Sequence, residues 1–518
     1  IGIVGVNGAG KTTLINILSK RLEPDEGYVK LYAEYSYITQ LDDPENKRIS
    51  REMASKFKIQ EKFKKSMSGG EAEKFKIADS LGKKNPIIFA DEPTENLDIE
   101  GINLLEEKLS KCKQTLVIIS HDRSFLDKLC KKIIEIEFGK IKIYNGNYSS
   151  YISIKKQEQK RAEFEYEKYS KENKRLNEVI NDTKERSKSV KKAPKRMGNS
   201  ETRLHKMGDQ KAKANLDRAV KNAEKRLEHL DIKEKPKNQE SIKLKIQDSE
   251  KLYSKIIIEG TDINKSFDNK TIFKNADFVI CNNSKTALIG PNGSGKSTLI
   301  KMILNGNSNI KIAHGAKIGY FSQGMDILDK SLTIIENVKK SSIYSEHFIR
   351  TFLARLLFKR EDIYKKVNVL SGGERVKVSL AKILLEDINM LILDEPTNYL
   401  DISSIEVLEK ILKGYESTLL FISHDIRLIE SIADHIMTIE NCKIKMFKGN
   451  YKEYLNKKNT EFNDSKKEIR NQIFILKNRL AEVLGKLSVP SKKDNIDMLN
   501  KEYYDILEKL KKYTAKLH

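Results

Sequence analysis

A glycine-rich motif that occurs twice places the strongest constraint on how this 518-residue chain folds. Residues 5–12 read GVNGAGKT, and residues 290–297 read GPNGSGKS. Each copy follows a short apolar run and precedes apolar residues at helical spacing, which is the strand, loop and helix context of a phosphate-binding loop. At roughly 150 residues per domain the chain has room for three or four domains, so the two copies can belong to separate nucleotide-binding domains.

Three further motifs repeat in the same order. They are Ser-Gly-Gly-Glu at 68–71 and 371–374, Asp-Glu-Pro-Thr at 91–94 and 394–397, and Ser-His-Asp at 120–122 and 423–425. The first two motifs start 23 residues apart in both copies, which indicates a tandem duplication. Ser68 follows Gln40 by 28 positions, whereas Ser371 follows Gln323 by 48. We therefore expect a smaller helical subdomain in the first copy.

Together these motifs resemble those of ATP-binding-cassette (ABC) ATPases over about residues 1–150 and 251–455. The resemblance implies an α/β fold with two ABC-type P-loop ATPase domains, ATP and Mg²⁺ as cofactors, and hydrolysis of ATP to ADP and phosphate. We expect domain 1 at 1–150, an interdomain linker at 151–250, domain 2 at 251–455 and a C-terminal helical extension at 456–518. Residues 256–285 have no counterpart in domain 1, so its N-terminal strands are expected to be missing.

The glycine-rich loops point to phosphate binding, because their backbone N–H groups and the following helix N-terminus form a positive cradle. Lys11 and Lys296 are expected to reach the β- and γ-phosphates. An Asp after a strand is equally often a helix cap, but beside a phosphate loop Asp91 and Asp394 are expected to hold Mg²⁺ and its water shell. The residues predicted to bind ATP are Gly5, Asn7, Gly8, Gly10, Lys11, Thr12, Thr13, Gln40, Ser68, Gly69, Gly70, Phe267, Gly290, Asn292, Gly293, Gly295, Lys296, Ser297, Thr298, Gln323, Ser371, Gly372 and Gly373. The residues predicted to bind the metal are Thr12, Gln40, Asp91, Ser297, Gln323 and Asp394.

For three of these residues the sequence pattern also has a simpler structural explanation. Gln40 and Gln323 match the metal-sensing glutamines of the family, although a lone Gln after a strand is usually a solvated loop residue. Phe267 resembles the aromatic residue that stacks on adenine, although an aromatic residue near a strand end more often belongs to the core.

The resemblance also implies the groups that carry out hydrolysis. Glu92 and Glu395 match the family's general bases, and His121 and His424 match the residues that sense the γ-phosphate. The Ser-Gly-Gly segments are expected to act across an interface between the domains, which pairs Lys11 with Ser371 and Gly373, and Lys296 with Ser68 and Gly70. Asp98 and Asp401 match the D-loops that cross this interface. Both sites look competent, although Glu95 in place of Asn398 is expected to make them unequal.

Residues 151–250 lose strand character and become helical and highly charged. Apolar residues at heptad spacing occur in two runs, namely Ala162, Tyr166, Tyr169, Leu176 and Ile180, and then Ala212, Leu216, Ala219, Ala223 and Leu227. Helix breakers at 193–194, 197–198 and 207–208 separate the runs, which predicts an antiparallel helical hairpin with an arm of roughly 60 Å. A second hairpin is predicted over 461–516, with a breaker at 489–491.

The composition indicates a polyanionic partner. The chain has 97 Lys and Arg against 74 Asp and Glu, a net charge of +23. Residues 184–213 hold 11 basic and 3 acidic residues, which favours phosphate binding at the hairpin tip, although a charge run is more commonly a solvated helix face. The tip residues predicted to bind RNA are Lys188, Lys191, Lys192, Lys195, Arg196, Met197 and Arg203. The C-terminal extension is also basic and is predicted to be either a second contact with an anionic surface or a docked appendage.

Other classes are disfavoured. No apolar run approaches the ~20 residues that span a bilayer, so we expect no membrane association. Four dispersed cysteines without a CxxC pair argue against a disulfide framework and a zinc site, and favour the cytoplasm. The sequence opens directly on an apolar strand without a Met, so the natural N-terminus is expected to lie upstream.

Tandem cassettes joined by a long basic hairpin, with Gly-Asn-Tyr at 146–148 and 449–451, resemble the ABC-F family of translation factors. That resemblance implies a monomeric chain that binds the ribosome's tRNA exit site and directs its linker toward peptidyl tRNA and the peptidyl-transferase centre. The small first-domain arm and long linker resemble the antibiotic-resistance branch, which protects ribosomes from large-subunit drugs. The tip contains no aromatic residue, which favours an allosteric route. The alternatives are a housekeeping ABC-F factor that rescues stalled ribosomes, the ATPase subunit of an ABC transporter, and a DNA-repair ATPase.

Overall fold

A computed structural model describes residues 1–39, 42, 44, 46–64, 66–137, 139–190, 199–233, 252–267, 270–322, 327–488 and 496–517. The chain divides into two compact units. Unit 1 contains Ile1–Val4 and Leu126–Leu244, and unit 2 contains Gly5–Phe125 and Lys245–His518.

The strands are β1 (Gly2–Gly5), β2 (Tyr35–Ile38), β3 (Ile87–Asp91), β4 (Thr115–Ile119), β5 (Lys132–Glu137), β6 (Lys140–Asn145), β7 (Ile256–Phe267), β8 (Lys270–Cys281), β9 (Lys285–Ile289), β10 (Ile310–Ile312), β11 (Ile318–Phe321), β12 (Met390–Asp394), β13 (Thr418–Ile422), β14 (His435–Glu440) and β15 (Lys443–Lys448). The helices are α1 (Lys11–Leu18), α2 (Arg51–Phe57), α3 (Gly69–Gly82), α4 (Ile99–Ser110), α5 (Arg123–Leu129), α6 (Tyr148–Ser189), α7 (Asn199–Glu228), α8 (Lys296–Leu304), α9 (Ile334–Lys339), α10 (Glu346–Arg355), α11 (Gly372–Leu384), α12 (Ile402–Lys413), α13 (Ile426–Ile432), α14 (Tyr451–Ser488) and α15 (Ile496–Leu517). Two 3-10 turns lie at Asp362–Tyr364 and Val367–Val369.

The second cassette contains two sheets. A six-stranded sheet has the order β11-β12-β13-β9-β14-β15, in which only β15 runs antiparallel to its neighbour. The central strands β12 and β13 are buried at every position, as expected for parallel strands with both faces covered. An antiparallel sheet of β10, β7 and β8 packs its apolar residues into the same core, which includes Phe273, Phe278 and Leu299. This core supports the loop between β9 and α8.

The first cassette repeats these elements in shorter form. Strands β2, β3 and β4 pair in parallel in unit 2, while β1 neighbours β5 and β5 forms a hairpin with β6 in unit 1. Between β2 and the signature helix α3 lies the helix α2, whereas the corresponding part of the second cassette contains α9, α10 and both 3-10 turns. The predicted fold class, with two ABC-type ATPase domains, is confirmed, and so is the smaller helical subdomain of the first cassette.

Unit 1 contains the predicted interdomain hairpin. Helices α6 and α7 are 42 and 30 residues long and run antiparallel, since Lys184 pairs with Glu224 and the Ser187 hydroxyl donates to Asp217. A small apolar cluster of Ile180, Val220, Ala223 and Leu227 lies between them.

Two details of the predicted hairpin are wrong. Val220 occupies the seam and Ala219 is exposed, while Ala223 and Leu227 lie in the seam as predicted, so the prediction is off by one residue at this position. Helix α7 also continues through the predicted breaker at 207–208, since one helical glycine costs only about 1 kcal/mol in a 30-residue helix. The predicted breakers at 193–194 and 197–198 lie outside the described residues.

The C-terminal extension forms a second pair of helices, α14 and α15, which Arg479 joins through a 2.8 Å contact with Glu502. Val483 of α14 and Ile506 of α15 are buried among the side chains described for these helices. Helix α14 begins at Tyr451, ten residues before the predicted start, and the predicted breaker at 489–491 lies outside the described residues. Within the described part of the chain, no helix combines the length and apolarity needed to cross a membrane.

Candidate ATPase sites

Both phosphate loops end at a glycine in the left-handed region, Gly10 at φ 93° and Gly295 at φ 105°, where the backbone turns into a helix. The next residue in each case is the predicted lysine. The Lys11 ammonium donates to the carbonyls of Gly5 (3.0 Å) and Val6 (3.2 Å), and Lys296 makes the same pair of bonds in the second cassette. Burial lowers the pKa of both lysines. A buried ammonium at a helix N-terminus is suited to binding a polyphosphate.

Each cassette places a hydroxyl beside the carboxylate at the end of a buried strand. Asp91 accepts a hydrogen bond from Thr12, and Asp394 accepts one from Ser297. Burial raises the pKa of both carboxyls. Asp91 and Asp394 end strands and cap no helix, because the N-caps of α4 and α12 are Asp98 and Asp401. A hydroxyl and one carboxylate beside phosphate oxygens form the donor set that Mg²⁺ prefers.

The predicted bases sit in a strained backbone conformation. Glu92 and Glu395 have φ values of 49° and 52°, and their amides donate to the last residues of β4 and β13, Ile119 and Ile422. A non-glycine residue at positive φ is unfavourable and persists where the surrounding structure holds it. The same turn therefore fixes the direction of the carboxylate in both cassettes.

Each glutamate contacts the predicted histidine of its own cassette. His121 Nε2 lies 3.3 Å from Glu92 Oε1, and His424 Nε2 lies 3.1 Å from Glu395 Oε1. Burial raises the pKa of Glu92 to about 8 and that of Glu395 to about 7, and burial lowers the pKa of both histidines to about 4. Both histidines are therefore neutral at pH 7.

The glutamates and histidines also have unused hydrogen-bonding capacity. Among the described residues, Oε1 of Glu92 and Glu395 and Nδ1 of both histidines are buried without a hydrogen-bond partner. Such atoms are costly unless they are satisfied. A nucleophilic water and a γ-phosphate would satisfy them, so these residues fit ATP hydrolysis.

A cavity of about 510 Å³ lies between the cassettes within unit 2. It brings Lys11 together with Ser371 and Gly373 of the other cassette, and both glutamates and both histidines line it. The phosphate loop of each cassette is bound by the D-loop of the other. Asn7 N donates to Asp401 Oδ2 (3.2 Å), and Asn292 N donates to Asp98 Oδ2 (3.0 Å).

The signature motifs begin helices α3 and α11. Ser68 and Ser371 cap these helices, and each exchanges hydrogen bonds with the glutamate three residues later. A Cβ on Gly70 would lie 2.9 Å from the Asn96 carbonyl oxygen and 3.0 Å from Asn292 Nδ2. The second signature glycine therefore lets the opposite phosphate loop and the D-loop approach closely.

The comparisons with known proteins agree with this geometry. The family model described as ABC transporter matches residues 1–54 and 273–398, and an extension model with the same description matches residues 134–210. The chain is 30% identical to ABC transporter F family member 5 of Arabidopsis thaliana, over 88% of this chain and 73% of the relative. It is 32% identical to the ribosome protection protein VmlR of Bacillus subtilis, over 95% of this chain and 89% of the relative. The chain belongs to the ABC-F family.

This ABC-F protein is an ATPase with two ATP-binding cassettes. It is also 33% identical to the erythromycin resistance ATP-binding protein MsrA of Staphylococcus epidermidis, over 84% of this chain and 90% of the relative. A solved structure titled RNase-L Inhibitor shares the fold, with a TM-score of 0.59 at 19% identity over 88% of this chain and 87% of that one.

Several predicted residues of the ABC-F chain remain predictions. Gln40 and Gln323 lie outside the described residues, and so do Lys191, Lys192, Lys195, Arg196 and Met197. Lys188 is exposed near the end of α6, and Arg203 lies in α7, where its side chain is not described. Phe267 is 50% exposed at the end of β7, with Lys265 Nζ 4.9 Å from its ring centre, so it does not belong to the core.

The sequence did not indicate two kinds of contact. The side-chain amides of Asn7 and Asn292 donate to the carbonyls of Tyr399 (2.9 Å) and Asn96 (2.8 Å) of the opposite cassette. Every residue has a backbone carbonyl, so the residue type of Tyr399 or Asn96 does not indicate that its carbonyl accepts a hydrogen bond. These contacts therefore could not be predicted from the sequence. Arg123 also contacts the second cassette, and its charge next to the Ser-His-Asp motif was a signal that could have been used.

Proposed function

We propose that this chain is a cytoplasmic, Mg²⁺-dependent ABC-F ATPase that binds the ribosome as a monomer and protects the peptidyl-transferase centre from large-subunit antibiotics. It would enter the tRNA exit site and direct the interdomain hairpin toward peptidyl tRNA and large-subunit rRNA. The names of two relatives, a ribosome protection protein and an erythromycin resistance protein, support this proposal.

The structural observation that carries the proposal is the length and charge of the hairpin. Helix α6 alone has 42 residues, about 60 Å at 1.5 Å per residue, far more than a connection between two cassettes needs. Residues 151–230 contain 23 basic and 13 acidic residues. A rigid basic arm suits RNA, because double-stranded RNA is read through phosphates and shape.

ATP is expected to act as the ligand that selects the ribosome-binding state. The two phosphate loops and the opposite signature motifs enclose ATP only when the cassettes are together, so ATP stabilises that state and hydrolysis removes the preference. Mg²⁺, held by the hydroxyl and carboxylate of each cassette, would neutralise phosphate charge. Glu92 and Glu395 would orient the attacking water and, in their ionised form, accept its proton, and the neutral histidines would donate to the γ-phosphate.

This cycle predicts that Glu92→Gln combined with Glu395→Gln locks the protein on ribosomes. Glutamine keeps the shape of the side chain but cannot accept the proton, so ATP stays bound. Ribosome pelleting with ATP should show the double variant in the pellet, with ATP hydrolysis reduced at least about 100-fold. Glu107→Gln, at an exposed residue of α4, is the control and should behave like the wild type. Rapid release of the double variant would contradict the cycle.

Protection itself is tested by shortening the hairpin between Lys191 and Met207. We expect loss of resistance with basal ATPase unchanged, because the ATP sites are untouched. The measurement is a panel of minimal inhibitory concentrations for large-subunit antibiotics in a sensitive host, with the empty vector and the full chain as references. Resistance that survives the deletion would exclude the hairpin as the effector. Full-chain values equal to the vector's, together with ATP-dependent ribosome binding, would instead identify a factor that rescues stalled ribosomes.

A further inference from the structure

The two Ser-His-Asp loops bring like charges together between the cassettes. Asp122 and Asp425 line the same cavity as the two histidines. Burial raises the pKa of Asp122 to about 6, and the charge of Asp425 adds to that increase. Two carboxylates this close oppose the approach of the cassettes unless a cation lies between them.

Arg123 places a cation next to one of these two carboxylates, Asp425. Its side chain is 7% exposed, Nη1 lies 2.9 Å from Glu409 Oε2 on α12, and Nη2 lies 3.5 Å from Asp425 Oδ2. Glu409 and Asp425 both belong to the second cassette, whereas Arg123 follows His121 by two residues in the first. The three acidic residues Asp425, Glu409 and Glu406 raise the pKa of the guanidinium against the effect of burial.

The two Ser-His-Asp loops differ at the residue that follows the motif. From the signature motifs onward, each residue of the first cassette has its counterpart 303 positions later. Asp122 corresponds to Asp425 and Glu106 corresponds to Glu409, but the counterpart of Arg123 is Ile426. An isoleucine cannot pair with a carboxylate, so the second loop has no cation at the position that Arg123 occupies in the first.

We propose that Arg123 is a positioning residue that joins the Ser-His-Asp loop of the first cassette to α12 and the Ser-His-Asp loop of the second, and thereby stabilises the ATP-enclosing arrangement of both sites. Its ion pairs are with Glu409 and Asp425, neither of which is a predicted ATP-binding residue. Its effect is on how readily the cassettes come together. The inference rests on the ATPase activity and not on the proposed ribosomal function.

The physical reason is the cost of an unpaired buried charge. Removing one partner of a buried ion pair leaves the other desolvated, which is much worse than never having made the pair. Without Arg123, closing the cassettes would leave Glu409 and Asp425 without this cation, with Asp425 next to the charge of Asp122. Opening the cassettes would hydrate these carboxylates, so the loss of Arg123 makes the open state more stable relative to the closed state.

The test is the dependence of ATPase rate on ATP concentration in the purified full chain. For Arg123→Ile, which copies the second cassette, we expect the half-saturating ATP concentration to rise at least about tenfold while kcat changes less than about twofold, since only closure is penalised. Glu409→Gln removes the charge of the partner in the second cassette. It should also raise the half-saturating ATP concentration. The double variant should be no worse than the more affected single variant, because each single change already breaks the pair.

Arg350→Ile is the matched control, since Arg350 pairs with Glu346 at 2.6 Å inside α10 and not across the interface. It should leave half-saturation unchanged. Wild-type half-saturation in both Arg123→Ile and Glu409→Gln, a fall in kcat without a change in half-saturation, or effects of the two changes that multiply in the double variant would each overturn the proposal. If Arg123→Ile does not fold, as judged by circular dichroism, Glu409→Gln alone decides it.

Discussion

Two neighbouring glycines of the second signature motif differ in what surrounds them. A Cβ on Gly372 would have no atom closer than 3.9 Å, the Cβ of Tyr399. A Cβ on Gly373 would lie 2.6 Å from the Tyr399 carbonyl oxygen and 3.1 Å from Asn7 Nδ2. The residue type is the same, but only Gly373 lies where the D-loop of its own cassette meets the phosphate loop of the other.

This difference predicts unequal losses for two alanine variants. Gly373→Ala must displace the Tyr399 carbonyl and break its hydrogen bond from Asn7, so we expect the ATPase rate at saturating ATP to fall at least about tenfold. Gly372→Ala is the comparison and should lower the rate by less than Gly373→Ala does, because its methyl group meets only ordinary contacts. Steady-state ATPase assays on the full chain make the comparison, and equal losses in both variants would refute the close approach.

At the scale of elements, the base of α6 is fixed by one buried carboxylate. Glu135 on β5 accepts hydrogen bonds from the Tyr151 hydroxyl (2.6 Å) and the Tyr144 hydroxyl (3.2 Å), and it pairs with Lys155. At the base of α14 the corresponding positions are Thr438, Tyr454, Phe447 and Lys458, so the carboxylate is absent. The hairpin of unit 1 is therefore anchored by a buried carboxylate, whereas Lys458 at the base of α14 pairs with the partly exposed Glu440.

We expect Glu135→Gln to loosen the first turns of α6 by about 1–3 kcal/mol, because a neutral amide replaces the charged acceptor of three donors. Hydrogen–deuterium exchange of residues 148–158 measures the change as faster exchange. Glu137→Gln provides the control, since Glu137 is half exposed and lies 3.4 Å from Lys155. Unchanged exchange in Glu135→Gln would show that packing of Tyr148 and Tyr151 anchors the helix without the carboxylate.

At the scale of the whole molecule, the net charge of +23 is unevenly distributed. Residues 151–230 and 456–518 contain 38 basic and 22 acidic residues, so these two segments carry 16 of the 23 excess positive charges. The cassettes themselves are close to balanced. The excess is concentrated on the two helical hairpins, where it can contact a polyanion without changing the ATP sites.

Binding to ribosomes should therefore weaken steeply with salt. If six or more phosphates are contacted, raising monovalent salt from 50 to 200 mM should lower affinity by about a thousandfold through counterion release. Sedimentation of the non-hydrolysing Glu92→Gln, Glu395→Gln variant with ATP measures this slope without turnover. Lys188→Ala together with Arg203→Ala should make the slope shallower. A slope near zero would mean that the charged hairpins do not contact RNA.

Much of the molecule follows from local sequence. The two phosphate loops, the signature helices and the strands that end at Asp91 and Asp394 are set by short-range rules, namely glycine at positive φ, serine caps and continuous apolar runs. The duplicated spacing extended these local predictions to a tandem cassette fold. The hairpins were predicted for the same reason, because heptad periodicity is a property of neighbouring residues.

What only the tertiary structure decided depends on residues far apart in the chain. The strained backbone of Glu92, the contact of Asn7 with the Tyr399 carbonyl and the ion pair of Arg123 with Glu409 each need a partner segment that the local pattern does not name. The slip from Ala219 to Val220 in the hairpin seam has the same origin, since the opposing helix selects which of two adjacent residues is buried. The sequence by itself determined which groups are available for ATP chemistry, and the tertiary structure decided which of them meet, because burial and pairing are set by both cassettes together.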